Sequence, residues 1–588
     1  MKKSYFAPRQ HKFTMYQLML RVFSNTKVRN KAFGTIAENG SGKFNDITAT
    51  VLDAVGDLGI SHIWFTGVLE HATLSDYDQH GMPSDNPYVV KGRAGSPYAI
   101  RDYYDVDPDL AVDVDNRIAE FEQMLQRTHK AGLKAIIDFV PNHVSRTYHS
   151  DKNPGHQPDF GANDDTSFLF RRDNNFMYLH DGAFQIPADY HPLGGKKISG
   201  LSKKYSEVPA RVTGNDVYST SPSLNDWFET IKLNFGVDPH PPHTCYFDPI
   251  PQTWLQLLDI LLYWCEKGVD GFRCDMAEMV PAEFWEWIIP CVKTHYPDVI
   301  FIAEIYKPEL YQRYLEYGFF DYLYDKVQLY DTLVAILRGQ CPADDLTRAA
   351  RSVEEFSERM LSFLENHDEE RIASSHFMGD GKFALPAMVV CATISKGPVM
   401  IYFGQEVGEP AAGNMGFAGD RGRTSIFDYC GAPEHQKWYN KGKCDGGLLS
   451  EEQKELRSNY KNILNLITQS KAISTGGYYD LQYVNRHHQS EGYDERYLFS
   501  FIRHCASEKL LIAVNFSKST TFKAHIRIPP EAIRETGMVA KGLISFTDIL
   551  HGDFTVEKQA SALYKEGDRL SGLVLEMTPF SSYVLRIH

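Results

Sequence analysis

Eight short apolar runs recur between Tyr16 and Glu406, separated by helix-like stretches, and this rhythm constrains the fold more than any other feature. The runs are "YQLMLRVF" (16–23), "SHIWFTG" (61–67), "LKAIIDFVPNH" (133–143), "VDGFRCD" (269–275), "VIFIAEIY" (299–306), "FDYLYDKV" (320–327), "RMLSFLENHD" (359–368) and "GPVMIYFGQE" (397–406). Amphipathic segments such as "ITATVLDAVGDLGI", "NRIAEFEQMLQRTHKAG" and "TWLQLLDILLYWCEKG" lead into the second, third and fourth runs, each stopping at a glycine. Strands that are apolar on both faces and alternate with helices form parallel sheets. Eight such units in series predict an α/β fold of the closed (β/α)8 TIM-barrel type; a doubly wound open sheet is the alternative.

The rhythm breaks once and then ends. Between His143 and Tyr246 lie about one hundred residues rich in Asp, Asn, Gly and Pro, a length that marks a functional insertion or a small subdomain. Beyond about residue 475 the runs "YDLQYVNR", "RYLFSFIRH", "KLLIAVNFS", "TFKAHIRIP" and "SSYVLRIH" alternate in the manner of strands, with no helices read between them. The expected organisation is a barrel from 1–143 and 246–470, an inserted domain over 144–245 after the third strand, and a C-terminal antiparallel β-sandwich over 471–588.

Charge narrows the partners. The formal net charge of −15, with no basic run, disfavours nucleic acid and leaves a neutral or cationic ligand. Nine scattered cysteines without a CxxC pair read as free thiols. The opening "MKKSYFAPRQHKFTMYQ" lacks the apolar core of a signal peptide, and no run reaches the ~18 apolar residues of a membrane span. The expectation is a cytoplasmic protein with no membrane partner; no feature of the sequence sets an oligomeric state.

In a (β/α)8 barrel the chemistry sits at the C-terminal strand ends. Those ends carry Asp138, Asn142 and His143 (third run), Arg273 and Asp275 (fourth), Glu304 (fifth), and His367, Asp368 and Arg371 (seventh). Residues i and i+2 of a strand share a face, so Arg273 and Asp275 both point to the barrel axis. A guanidinium beside a carboxylate favours its ionised form, which suits a nucleophile or an electrostatic stabiliser. Glu304, one βα unit further on and close to two other acids, is expected to keep its proton more readily. An acid held protonated beside a base held ionised is the arrangement of retaining glycosidic cleavage, with the carboxyls ~5–5.5 Å apart. Taken singly, each signal is bland: Arg-x-Asp is usually a structural ion pair, and "NHD" is a common turn or cap. Most of the 33 Tyr and 35 Phe belong to the core rather than to sugar stacking.

In order and at these strand ends, the motifs resemble the α-amylase family of glycoside hydrolases over nearly the whole chain. "DFVPNH", "GFRCD", "IAEI" and "ENHDEER" resemble its four signatures, and "IKLNFG" (231–236) an extra one in its inserted domain. The resemblance implies Asp275 as nucleophile, Glu304 as general acid/base and Asp368 as stabiliser of an oxocarbenium-like transition state. It implies that Arg273 orients Asp275, that His143, His367 and Arg371 contact the sugar, and that Tyr98 in "SPYAIRDYY" stacks beneath it. No cofactor is required; a structural calcium is possible, with Asn142 as its ligand, whereas the Asn25–Asn30 loop lacks an acidic ladder for a second ion. The implied substrate is an oligosaccharide or α-glucan, cleaved at α-1,4-glucosidic bonds.

Two departures from the family pattern matter. Many relatives carry Lys-His at the positions of Glu278 and Met279 to hold the sugar beyond the cleavage point, and relatives with closed terminal pockets carry Tyr-Asp where this chain has Tyr98-Ala99. The departures leave a maltooligosaccharide-active hydrolase or a 4-α-glucanotransferase-like enzyme of the same mechanism. A non-catalytic sugar-binding subunit of the same fold is the less favoured reading, because all three acids are present. A metal-dependent barrel lyase is disfavoured because Arg273 beside Asp275 makes a poor metal site.

Overall fold

Eight parallel strands close on themselves in chain order: Thr14–Met19, His62–Thr66, Lys134–Phe139, Gly271–Cys274, Ile300–Ala303, Tyr322–Tyr324, Met360–Phe363 and Val399–Tyr402. They are called here the first to the eighth strand. The computed structural model describes residues 12–155, 157–196, 204–552 and 554–588. Each strand falls within or overlaps one of the eight apolar runs, because a parallel strand packed between a barrel interior and a helix layer has no face to give to water. The helices Ala49–Gly56, Arg117–Lys130, Gln252–Glu266, Ala282–His295 and Leu385–Thr393 form that outer layer.

The inward face alternates with period two and changes character along each strand. Met15, Trp64, Ile136, Ile300, Ile302, Tyr322, Tyr324, Leu361, Phe363 and Met400 fill the interior as one apolar cluster. Two residues further along, the same faces carry Gln17, Thr66, Asp138 and Glu304. The fourth strand pairs Arg273 with Asp138 on one side and Ile302 on the other. Its first residue is Gly271 because the interior is already full there: a Cβ would stand 2.5 Å from a side-chain carbon of Ile300.

Two excursions rise over the mouth, one more than the sequence rhythm indicated. The first runs from the second strand to the helix at Arg117 and contains the antiparallel pair Leu69–His71 and Ile100–Val106. The second follows the third strand and is held by two short antiparallel pairs, His143–Ser145 with Thr230–Lys232 and Tyr178–Leu179 with Ala210–Arg211. Val89 of the first packs with Met177, Leu179, Phe184, Tyr190 and Phe228 of the second in a core of their own. The first excursion leaves a weaker mark in the sequence because its Gly- and Pro-rich stretch is shorter than that of the second.

Beyond the barrel a six-stranded antiparallel sheet has the order Gly477–Asp480, Leu498–His504, Lys509–Asn515, Ser582–Ile587, Leu543–Asp548, Thr555–Gln559. A two-stranded partner, Phe522–Ile526 with Leu573–Met577, shares its core. "YDLQYVNR" is only partly a strand: Asp480 accepts from the Gln482 amide and a helical turn, Gln482–Asn485, follows. A helix, Pro530–Thr536, also interrupts the strands.

Candidate active site

Arg273 lies at the centre of the mouth, and its side chain is 1% exposed. Its Nη1 donates to Asp275 Oδ1 at 2.8 Å and to Asp138 Oδ1 at 3.3 Å, and its Nη2 meets Glu304 Oε2 at 2.7 Å. Asp275 and Glu304 are thus bridged by the two terminal nitrogens of one guanidinium. The rings of Trp64, Tyr98 and Tyr324 surround the same group at 5.2, 5.3 and 5.8 Å. Burial weakens Arg273 as a cation, but Glu304 and its neighbours outweigh this and hold the guanidinium charged.

One guanidinium faces three carboxyls, and the balance shows in Asp275. Burial pushes its carboxyl well above the usual carboxylate range, Arg273 pulls it down, and Glu304 and Asp138 push it up again. At Asp275 the pull of Arg273 is therefore opposed by burial and by two neighbouring acids. Asp138 is likewise raised, by burial first, against the pull of Arg273. Three acids thus compete for one guanidinium in a buried site, and their titrations are coupled.

Asp368 reaches this centre through a chain of polar contacts. Its Oδ2 lies 3.0 Å from His367 Nε2, which lies 2.6 Å from the Tyr98 hydroxyl; that hydroxyl donates to Asp138 Oδ1 at 3.3 Å. Trp64 Nε1 holds the other Asp138 oxygen at 3.0 Å, and Gln17 Nε2 stands 2.8 Å from His367 Nδ1. The Tyr98 and His367 rings are stacked at 5.2 Å. Asp368 is open to the cleft, with 42% of its side chain exposed. Partial burial raises its carboxyl, but His367 more than offsets this and the group titrates at about 2. His143 is buried beside the Trp227 ring, 3.1 Å from the Asn142 amide nitrogen; burial, then Lys232, lower its imidazole to about 3, so it stays neutral.

The family model described as "Alpha amylase, catalytic domain" matches residues 20–182 and 251–418, more than half of the chain. The chain belongs to the α-amylase family. An α-amylase of Haloarcula japonica is 23% identical over 67% of this chain and 44% of its own length, and neopullulanase 2 of Thermoactinomyces vulgaris 28% over 60% and 48%. An α-1,4-glucan:maltose-1-phosphate maltosyltransferase of Cereibacter sphaeroides is 32% identical over a shorter stretch, 20% of this chain and 22% of the relative. The chain thus spans between about a fifth and a half of the length of these curated relatives. Among solved structures, the fold is shared with a maltogenic α-amylase of Thermotoga neapolitana, with TM-score 0.57, 17% identity, and 98% and 96% of the two chains covered.

Set against this α-amylase-family frame, two expected site residues have other work. Arg371, expected at the sugar, is fully buried away from the cleft: it donates to Glu365 Oε2 and the Phe403 carbonyl at 2.8 Å and to Thr424 Oγ1 at 2.9 Å. It serves the seventh and eighth strand ends rather than a ligand. Asn142, expected as a calcium ligand, presents its Oδ1 to the Lys232 ammonium at 2.5 Å and donates from Nδ2 to the Gly214 carbonyl. Lys232 also donates to Asp216 and to the Met279 carbonyl. A cation bound at Asn142 would meet that ammonium, so the donor set does not fit calcium. Asn25 and Asn30 are engaged by the backbone of Cys430 and Gly431.

Several residues of the cluster were absent from the sequence reading. Gln17, Trp64 and Tyr324 were legible in principle as inward positions of the first, second and sixth strands. Tyr306, whose hydroxyl donates to Glu304 Oε1 at 2.5 Å, lies beyond the fifth strand, where the period-two rule no longer applies. Among the described residues no helix is long and apolar enough to cross a membrane.

Proposed function

We propose that the protein cleaves α-1,4-glucosidic bonds in maltooligosaccharides or related α-glucans with retention of configuration, by double displacement. Asp275 attacks the anomeric carbon while Glu304 protonates the departing oxygen; Glu304 then deprotonates the water or sugar hydroxyl that releases the glycosyl enzyme. Asp368, ionised and open to the cleft, stabilises the oxocarbenium-like transition state. His143 and His367 contact hydroxyls of the reacting sugar, and Tyr98 offers its ring beneath it. The observation that supports this most strongly is the bridging of Asp275 and Glu304 by Arg273, with Asp368 joined to the same centre through His367, Tyr98 and Asp138.

Transfer to a second sugar is the companion reading. A cavity of about 580 Å³ lined by Asp216, Tyr218, Lys232, Glu278 and Met279 adjoins the turn that follows Asp275, giving an acceptor room to compete with water. Maltoheptaose followed by chromatography and reducing-end titration separates the two. Hydrolysis adds one reducing end per bond cleaved, whereas transfer redistributes chain lengths at a constant number of ends. No change in either quantity would overturn the proposal.

A further inference from the structure

We propose that Tyr306 and Glu278 are positioning residues that hold Glu304 in the orientation from which it protonates the leaving oxygen. The inference rests on the reading of Glu304 as the general acid/base.

Glu304 is gripped at both oxygens. Oε1 accepts from the Tyr306 hydroxyl at 2.5 Å; Oε2 accepts from the Met276 amide at 2.7 Å and meets Arg273 Nη2 at 2.7 Å. Arg273 and Met276 belong to the fourth strand and its outgoing turn, which also carries Asp275. Met276 adopts a left-handed conformation, φ 43° and ψ 45°, which is costly for a residue with a side chain and places its amide on Glu304. Tyr306 supplies the only grip on Oε1 among the described hydrogen bonds. Burial, and then Glu304 itself, push the Tyr306 phenol well above its ordinary value, so it remains a donor.

Tyr306 sits in irregular backbone past the fifth strand, so no sheet ladder fixes it. Glu278 does. Its Oε2 accepts from the Tyr306 amide at 2.8 Å and from the Lys307 amide at 3.0 Å, and its side chain is 8% exposed. In the opposite direction the Ala277 amide donates to the Glu304 carbonyl at 3.1 Å. The two loops carrying the nucleophile and the acid are thereby clasped to each other. A lysine at 278 has no acceptor and cannot close this clasp. Where many relatives use this position to hold sugar, this chain uses a carboxylate already taken by two backbone donors.

The test exploits leaving-group chemistry. When a glucan bond breaks, the C–O electrons go to the departing oxygen and a proton from Glu304 joins them. When α-maltosyl fluoride reacts, the C–F bond breaks and fluoride departs as the anion without that proton. Tyr306→Phe and Glu278→Lys are expected to lower kcat/KM, which reports the glycosylation step, on maltoheptaose by about 10- to 100-fold, within the span of general-acid contributions. The loss on α-maltosyl fluoride is expected to be at least about tenfold smaller. Glu278→Gln, which keeps an acceptor oxygen, falls between Glu278→Lys and the unaltered protein on maltoheptaose. Equal losses on both substrates, or none on maltoheptaose, would overturn the proposal while leaving the glycosidase reading intact. An unaltered protein inert on both substrates would overturn that reading and this proposal with it.

Discussion

Two buried arginines, Arg273 in the fourth strand and Arg371 beyond the seventh, have similar aromatic and carboxylate surroundings, and they do different things. Each guanidinium lies over aromatic rings, those of Trp64 and Tyr98 for Arg273 and of Tyr402 and Phe403 for Arg371. Each touches a carboxylate at 2.8 Å. Arg371 faces one directly paired acid, Glu365, whose other oxygen is held by the Ile372 amide; a carbonyl and a hydroxyl complete its partners. Arg273 faces three acids and no carbonyl partner. A pair matched one to one is a structural joint. A cation outnumbered by acids sets their titrations against one another, and competing carboxyls of this kind are what an acid/base site is built from.

The comparison makes predictions that differ in sign. Asp275→Asn is expected to cost about 10⁴-fold or more in kcat, as removal of a nucleophile does. It is also expected to leave Tm equal to or above that of the unaltered protein, because it relieves an excess of buried acid. A large fall in Tm would remove the distinction drawn here. Arg371→Met should do the reverse. It strands Glu365 in the interior and costs about 3–5 kcal/mol by urea unfolding, with kcat per folded molecule retained. Adding Glu365→Gln should recover most of that loss; failure to recover would mean that Arg371 acts through more than this pair.

A smaller effect is expected at Asp368. Its carboxyl is held at about 2 against an ordinary 3.8. A depressed carboxyl contributes stability that is present above the ordinary value and is lost as pH falls through the lowered one. Tm should therefore decline between about pH 4 and pH 2, and Asp368→Asn should flatten that decline; an unchanged acid slope would count against the His367 contact as its source. The smallest effect concerns metal. With Lys232 on Asn142, calcium is expected not to bind at this position, and an anomalous-scattering peak within about 2.6 Å of Asn142 Oδ1 in calcium-soaked crystals would contradict the placement of that ammonium.

The barrel was legible because its signal is local and repeated. Eight runs apolar on both faces admit few packings, and the period-two alternation that fills the interior with Trp64, Ile136 and Ile302 also sends Asp138, Arg273 and Glu304 to the mouth. Asp275 and Glu304 follow their strands directly and continue the inward face, which brings them to one opening, whereas Asp368 lies beyond the seventh strand and is placed by the turn in which its amide donates to Asn366. The contacts of Arg371 and Asn142 were not legible because several of their partners are distant in sequence, Thr424 and Phe403 for one and Lys232 for the other. The clasp between Glu278 and the Tyr306 loop was invisible for that reason too.

What the sequence by itself determined is the parallel barrel and the convergence of its acids, because both follow from short-period patterns of side-chain polarity. Only the tertiary structure decided how charge is shared among them. The ratio of acids to guanidinium around Arg273, the ammonium on Asn142 and the backbone donors on Glu278 are all contacts between separate strand ends and loops. Each was set by packing in three dimensions, where a difference of a few ångströms decides whether a buried charge is paired.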